Sequence, residues 1–159
     1  MHIKLVSYNG EPEPNLLVKT IVDPVNNTVR YDTISRKVKW KYPFEGKKVD
    51  TLQFMKTVTL NRIQINNLTD MLFNIDERKH NHKVAYGEFS CFEPRNAILF
   101  TDSTGKAFAY IQICFECQKV KTYPETVNWG GFCIEKLDII KQYFASVGIK
   151  YGITTMKMP

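Results

Sequence analysis

The chain has 159 residues, of which 43% are hydrophobic, 24% charged and 13% aromatic. This composition excludes a disordered chain, a collagen-like repeat and a coiled coil. No stretch approaches the roughly 18 consecutive apolar residues of a membrane span, so the sequence predicts no transmembrane segment. The length predicts a single domain over 1–159, with a β-rich part over 1–57 and a helix–hairpin–helix part over 58–153.

The basic residues are distributed unevenly. Lysine and arginine number 22 against 16 acidic residues, a net charge of +6, and the excess is greatest over residues 30–48. Within that range, residues 36–42 alternate between apolar side chains (Val38, Trp40 and Tyr42) and lysines. This period of two is typical of a half-buried strand whose lysines face water. We therefore interpret the charge as a solvated strand face, and nucleic acid as an unlikely partner, because no nucleic-acid-binding motif accompanies it.

The first third of the chain has the pattern of short strands. Ile3–Tyr8 predicts one strand, and residues 16–22 and 28–33 predict a hairpin around the turn-forming residues 23–27. The alternating segment 36–42 predicts a further strand that ends at Pro43–Gly46.

The rest of the chain predicts two helices and a hairpin. Apolar residues recur at three- and four-residue spacing from Leu60 to Ile75, with Thr59 as the expected N-cap. Residues 96–101 and 106–115 flank a polar turn that contains Gly105, which predicts a β-hairpin. A second amphipathic helix is expected over 132–147, with Gly148 at its C-terminal end. The elements together predict an α+β fold, a mainly antiparallel sheet with two helices packed on it.

Four cysteines carry the most distinctive chemistry: Cys91, Cys114, Cys117 and Cys133. If Thr101 faces Ala107 in the hairpin, extending the register places Cys91 opposite Cys117. A bulge or break at Pro94 would shift this register and make Cys114 the next candidate partner for Cys91.

Several chemistries fit this cluster. A Cys91–Cys117 disulfide would close the base of the hairpin in an oxidising compartment. Cys91, Cys114 and Cys117, with Cys133 or a histidine, could instead hold zinc, since Cys114 and Cys117 have the two-residue spacing of zinc ligands. Thiol redox chemistry is disfavoured because the Cys-x-x-Cys pair ends a strand and does not open a helix. The four thiols could also be reduced core residues, as we expect for Cys133.

The residues around the hairpin resemble an uncharacterised family of bacterial proteins. The likeness covers about residues 58–153 and is carried by the segments Cys91-Phe92-Glu93-Pro94-Arg95 and Ile113-Cys114-Phe115-Glu116-Cys117. Many members of that family begin with a lipoprotein-type or secretory signal, so the resemblance implies a periplasmic or cell-surface location. Export favours the disulfide, whereas the absence of a signal at the N-terminus of this sequence would leave a cytoplasmic location. The resemblance implies no catalytic residues.

Two functional classes remain after these patterns. No catalytic motif or cofactor-binding pattern stands out, which favours a non-enzymatic binding or structural module without a cofactor. Its partner would be a protein, a glycan or an envelope component. The alternative is a thiol- or zinc-dependent enzyme, or a zinc-stabilised domain, built on Cys91, Cys114 and Cys117. The candidate polar site for an enzyme comprises Glu93, Arg95 and Glu116, although an arginine between carboxylates is more often a structural ion pair.

Overall fold

The computed structural model describes residues 1–12, 18–22, 29–33, 40–75 and 92–153. Its strands are β1 (His2–Tyr8), β2 (Glu11–Pro12), β3 (Val18–Val22), β4 (Val29–Thr33), β5 (Trp40–Lys41), β6 (Phe44–Glu45), β7 (Lys48–Val49), β8 (Phe54–Thr59), β9 (Asn96–Thr101), β10 (Ala107–Cys114) and β11 (Lys119–Tyr123). The helices are α1 (Arg62–Phe73) and α2 (Ile134–Ser146), and a single 3-10 turn covers Thr51–Gln53. The chain divides into two compact units, one of residues 1–10 with 42–159 and one of residues 11–41.

The larger unit is built on a five-stranded antiparallel sheet with the strand order β11-β10-β9-β1-β8. With its two helices, this sheet confirms the predicted α+β class. The N-terminal strand β1 lies inside the sheet, where it pairs with β8 on one side and β9 on the other. Neither described helix is long and apolar enough to span a bilayer.

The smaller unit contains two antiparallel pairs, β2 with β5 and β3 with β4. The predicted hairpin of 16–22 and 28–33 is confirmed by the pairing of Val18–Val22 with Val29–Thr33. Of the predicted strand at 36–42, only Trp40–Lys41 is a strand, and residues 34–39 lie outside the described part of the chain. Residues 43–46, which were predicted only to end this strand, include Phe44–Glu45, which pairs with Lys48–Val49 in a small hairpin of the larger unit.

One face of the five-stranded sheet packs against both helices. Its core contains Leu5, Ile98 and Ile111 from the strands and Leu68 and Phe144 from the helices, all at most 1% exposed. The hydroxyl of Tyr143 in α2 donates to the carbonyl oxygen of Gln64 in α1 at 2.7 Å. This bond joins the two helices above the sheet.

The opposite face of the sheet has its own apolar cluster. Val6, Tyr8, Leu99 and Tyr110 point to this face, where Phe44 packs on them. The ring centroids of Phe44 and Tyr110 are 4.6 Å apart. Residues 42–54 therefore cover part of this face, while the helices lie on the other.

Both helices begin later than the sequence predicted. Thr59 is the last residue of β8, and the N-cap of α1 is Asn61, whose side-chain oxygen accepts from the amide of Gln64 at 2.9 Å. The side chain of Gln64 accepts from the Asn61 amide in return, a reciprocal pair that a threonine at 59 cannot form. In α2 the N-cap is Cys133, which is buried as expected, and its sulfur accepts from the amide of Lys136 at 3.4 Å.

The predicted hairpin of β9 and β10 is confirmed, but its predicted register was wrong beyond the first pair. Thr101 faces Ala107, and then Phe100 faces Ala109, because Phe108 is an extra residue that bulges out of β10. Leu99 therefore faces Tyr110, one position away from the predicted partner. Because β9 begins at Asn96 and β10 ends at Cys114, the ladder does not extend to either Cys91 or Cys117. The register argument for a Cys91–Cys117 pair consequently does not hold.

Candidate functional site

The Cys-x-x-Cys segment forms the turn between β10 and β11. Cys114 is the last residue of β10, residues 115–118 are in turn conformation, and Gln118 has a φ of 50° in the left-handed region. The amide of Cys117 donates to the sulfur of Cys114 at 3.2 Å, and the Cys114 thiol donates to the carbonyl oxygen of Glu93 at 3.4 Å. As the sequence indicated, the pair follows a strand and does not open a helix.

The environment of the Cys114 thiol disfavours its reactive thiolate form. Cys114 is 2% exposed, and burial raises its pKa above the usual value, although the hydrogen bond from the Cys117 amide opposes the shift. A raised pKa leaves little thiolate near neutral pH, and the thiolate is the nucleophilic form. The geometry therefore favours a structural role for Cys114 over a nucleophilic one.

The structure bears on some of the proposed cysteine pairings. Cys114 and Cys133 are buried free thiols, so the structure does not contain the alternative bond between Cys91 and Cys114. Cys91 lies outside the described residues, and the Cys91–Cys117 disulfide stays a prediction. The described residues contain no group of three or more histidines, cysteines or carboxylates arranged to hold a metal.

The predicted polar site lies beside the cysteine turn. Nη1 of Arg95 is 3.5 Å from Oε1 of Glu116, and the two side chains are 31% and 29% accessible. The carboxylate of Glu93 does not take part in that contact. The pKa of the nearby Tyr42 is raised mainly by burial and secondly by the charge of Glu93. A partly solvated ion pair of this kind is a weak structural contact.

Sequence patterns did not single out a cleft on the sheet face opposite the helices. It comprises two adjoining cavities of about 510 and 340 Å³, which share Lys47, Val49, Lys106 and Ala107. We call this combined groove the sheet-face cleft. Its volume is in the range of small-molecule binding sites, roughly 300–1,000 Å³.

Strands and turns from distant parts of the sequence form the cleft. Lys4 comes from the inner strand β1, Lys47 from the turn between β6 and β7, and Lys106 from the turn between β9 and β10. Thr57 contributes from β8. Residues 42–54 cover only part of this face, and the cleft lies beside them on the sheet.

The second cavity has an aromatic wall. Phe108, the bulged residue of β10, lines this cavity and is 52% exposed. Beside it, the rings of Tyr110 and Tyr123 stack with centroids 5.2 Å apart and planes 19° from parallel. The bulge therefore turns an apolar side chain toward the cleft, as bulges near binding sites often do.

A buried lysine elsewhere in the fold has a structural explanation. Lys136 is fully buried, and its ammonium group donates to the carbonyl oxygens of Gly131 at 2.6 Å and Trp129 at 3.2 Å. These bonds fix the loop before α2. Gly130 in that loop has a φ of +78°, and a Cβ there would meet the carbonyl oxygen of Leu72. We therefore assign Lys136 to the packing of the loop against α1.

Comparison with protein-family models, curated proteins and solved structures found no match for this chain. The resemblance in the segments around the cysteines stays a prediction.

Proposed function

We propose that this protein is an exported, non-enzymatic binding module whose ligand lies in the sheet-face cleft. The observation that carries the proposal is the cleft itself, because it is concave, of ligand size and rimmed by polar groups around an apolar floor. The Arg95–Glu116 pair and the buried Cys114 thiol are less suited to chemistry, for the reasons given above. A protein, glycan or envelope component could present the bound group.

The export part of the proposal rests on the cysteines and on the sequence resemblance. With Cys114 and Cys133 as free thiols, the cysteines that remain for a bond are Cys91 and Cys117. Such a bond would close a loop of about 25 residues and stabilise the fold by roughly 3 kcal/mol in an oxidising compartment. Mass spectrometry of the unreduced, alkylated protein should find two alkylated cysteines and one linked peptide pair. Four alkylated cysteines would contradict the disulfide.

Binding can be tested by narrowing the cleft. Ala107 lines both cavities, so Ala107→Phe should fill the space between them. The probe is anilinonaphthalene sulfonate (ANS), whose fluorescence rises in apolar sites, and we expect the substitution to weaken its binding at least about fivefold. Ala145→Phe adds the same side chain at an exposed position of α2 and should leave ANS binding unchanged. Failure of ANS to bind, or equal binding to both variants, would contradict the cleft as the binding site.

A second candidate function is a zinc-stabilised domain that uses the Cys91, Cys114 and Cys117 cluster. The hydrogen bond from the Cys117 amide to the Cys114 sulfur favours it, since amide donors orient and stabilise ligand thiolates. Further ligands would have to come from Cys91 or from His80 and His82, which lie outside the described residues. Metal analysis of the purified protein should show one equivalent of zinc for this function and none for the disulfide-bonded module.

A further inference from the structure

The sheet-face cleft has a strong bias of charge. Three lysines line it, Lys4, Lys47 and Lys106, and no aspartate or glutamate does. None of these three lysines forms an ion pair with a carboxylate within the described ranges. The larger cavity also presents the side chains of Thr51 and Thr57, which can donate hydrogen bonds.

Two carboxylates close to these lysines in sequence, Asp102 and Asp50, accept hydrogen bonds within their own turns. Oδ1 of Asp102 accepts from the amides of Thr104 at 2.9 Å and Lys106 at 3.0 Å. The two oxygens of Asp50 accept from Leu52 and Gln53 in the 3-10 turn. Asp102 shapes the turn that carries Lys106, Asp50 caps the 3-10 turn after β7, and neither carboxylate lines the cleft.

Lysines and aromatic side chains are distributed unevenly along the cleft. Lys4, Thr51 and Thr57 line the larger cavity only, whereas Phe108, Tyr110 and Tyr123 line the smaller one only. Lys47 and Lys106 stand where the two cavities meet. A ligand that fills the cleft must therefore present a negative group near the junction of the two cavities and a flat apolar surface in the smaller cavity.

We propose that the sheet-face cleft binds a small amphiphilic anion, with a phosphate, sulfate or carboxylate group on a flat apolar or aromatic body. Lysine is a common partner of such anions as a mobile point charge, and the exposed ring of Phe108 with the half-buried ring of Tyr123 offers an aromatic surface to the body. The inference rests on the proposed binding function and specifies its ligand. The occupant is a small molecule and not a polyanion, because the three ammonium groups surround one groove of ligand size and form no extended stripe.

The test compares two fluorescent probes that share an aromatic body. ANS carries a sulfonate, and phenylnaphthylamine (NPN) is the uncharged compound of the same shape. We expect ANS to bind the native protein at least about fivefold more tightly than NPN. The difference should shrink as salt is raised, since salt screens charges near the surface.

Lysine variants connect that preference to the cleft. Lys47→Ala and Lys106→Ala should each weaken ANS binding by roughly two- to fivefold, the range expected for one exposed charge pair, and leave NPN binding unchanged. Lys150→Ala removes one positive charge from an exposed position outside the cleft and should change neither probe. An unchanged cooperative unfolding transition in each variant shows that the fold is intact.

The possible failures are distinguishable. If neither probe binds, or if Ala107→Phe has no effect, the proposed binding function itself is overturned. If Ala107→Phe weakens the binding of both probes but ANS and NPN bind the native protein with equal affinity, only the anionic nature of the ligand is overturned. The same conclusion follows if the lysine substitutions leave ANS affinity unchanged. A loss of ANS binding that is equal in Lys150→Ala and Lys47→Ala would show a general effect of net charge, which also overturns the anionic site. Displacement of ANS by a heparin oligosaccharide but not by phenyl phosphate would overturn the small-molecule assignment.

Discussion

Truncating Phe144 to alanine should be among the most destabilising single substitutions in α2. The ring is 0% exposed in the core between α2 and the sheet, and it meets the ring of Phe115 edge-on at 5.6 Å between centroids. Removing a fully buried phenylalanine costs about 3–5 kcal/mol. An aromatic pair of this geometry contributes roughly 0.5–1.5 kcal/mol of that loss.

Urea unfolding measures this loss directly. For a slope of about 2 kcal/mol per molar urea, the midpoint should fall by roughly 1.5–2.5 M with the slope unchanged. Phe108→Ala is the matched control, because that ring is 52% exposed and should cost less than about 1 kcal/mol. A loss below about 1 kcal/mol for Phe144→Ala, or equal losses for both variants, would refute the packing of α2 on the sheet.

Three further predictions concern a glycine, a tyrosine and a thiol. Gly130→Ala should destabilise the fold by about 1–3 kcal/mol more than Gly105→Ala. Both glycines have a positive φ, but only at position 130 would an added Cβ meet the Leu72 carbonyl. Equal losses of stability in thermal melts would contradict this contact. Burial raises the pKa of Tyr8 above its usual value of about 10, so the unfolded chain ionises first and stability falls as pH rises past 10. Tyr8→Phe should reduce this alkaline slope by up to about 1.4 kcal/mol per pH unit, and an unchanged slope in urea titrations would exclude the effect. Iodoacetamide should modify Cys114 at pH 8 at least about tenfold more slowly in the folded than in the denatured protein. Burial both shields the sulfur and raises the pKa of the thiol. Equal modification rates would contradict the burial of Cys114.

Local sequence patterns predicted the elements whose period is strong. The hairpin of β9 and β10 and the helix α2 combine regular apolar spacing with glycine at the turn or the helix end, so short-range chemistry determines them. The edge strands β8 and β11 were missed. Their side chains are mostly half-buried or exposed, so they lack the alternation that marks a strand.

The details of the candidate site depend on long-range strand pairing, so local sequence patterns could not predict them. The bulge at Phe108 changes the register by one residue, and no local pattern in residues 107–114 marks it. Lys4, Lys47 and Lys106 are separated by tens of residues in sequence. The pairing of β1 with β9 and the hairpin of β6 and β7 bring them to one cleft. A lysine in a strand or a turn has the pattern of an ordinary solvated side chain, so its part in a cleft appears only in the folded chain.

The proposed ligand site lies on the sheet face opposite the helices. Mapping amide chemical shifts during an ANS titration of isotope-labelled protein tests this placement most directly. The account predicts saturable shifts for the amides of Thr57, Leu99, Lys106 and Ala107, which line the cleft. The amides of α1 and α2 should remain in place, because the helices lie on the other face. Saturable shifts confined to the helices, or no saturable shifts at the cleft, would contradict it.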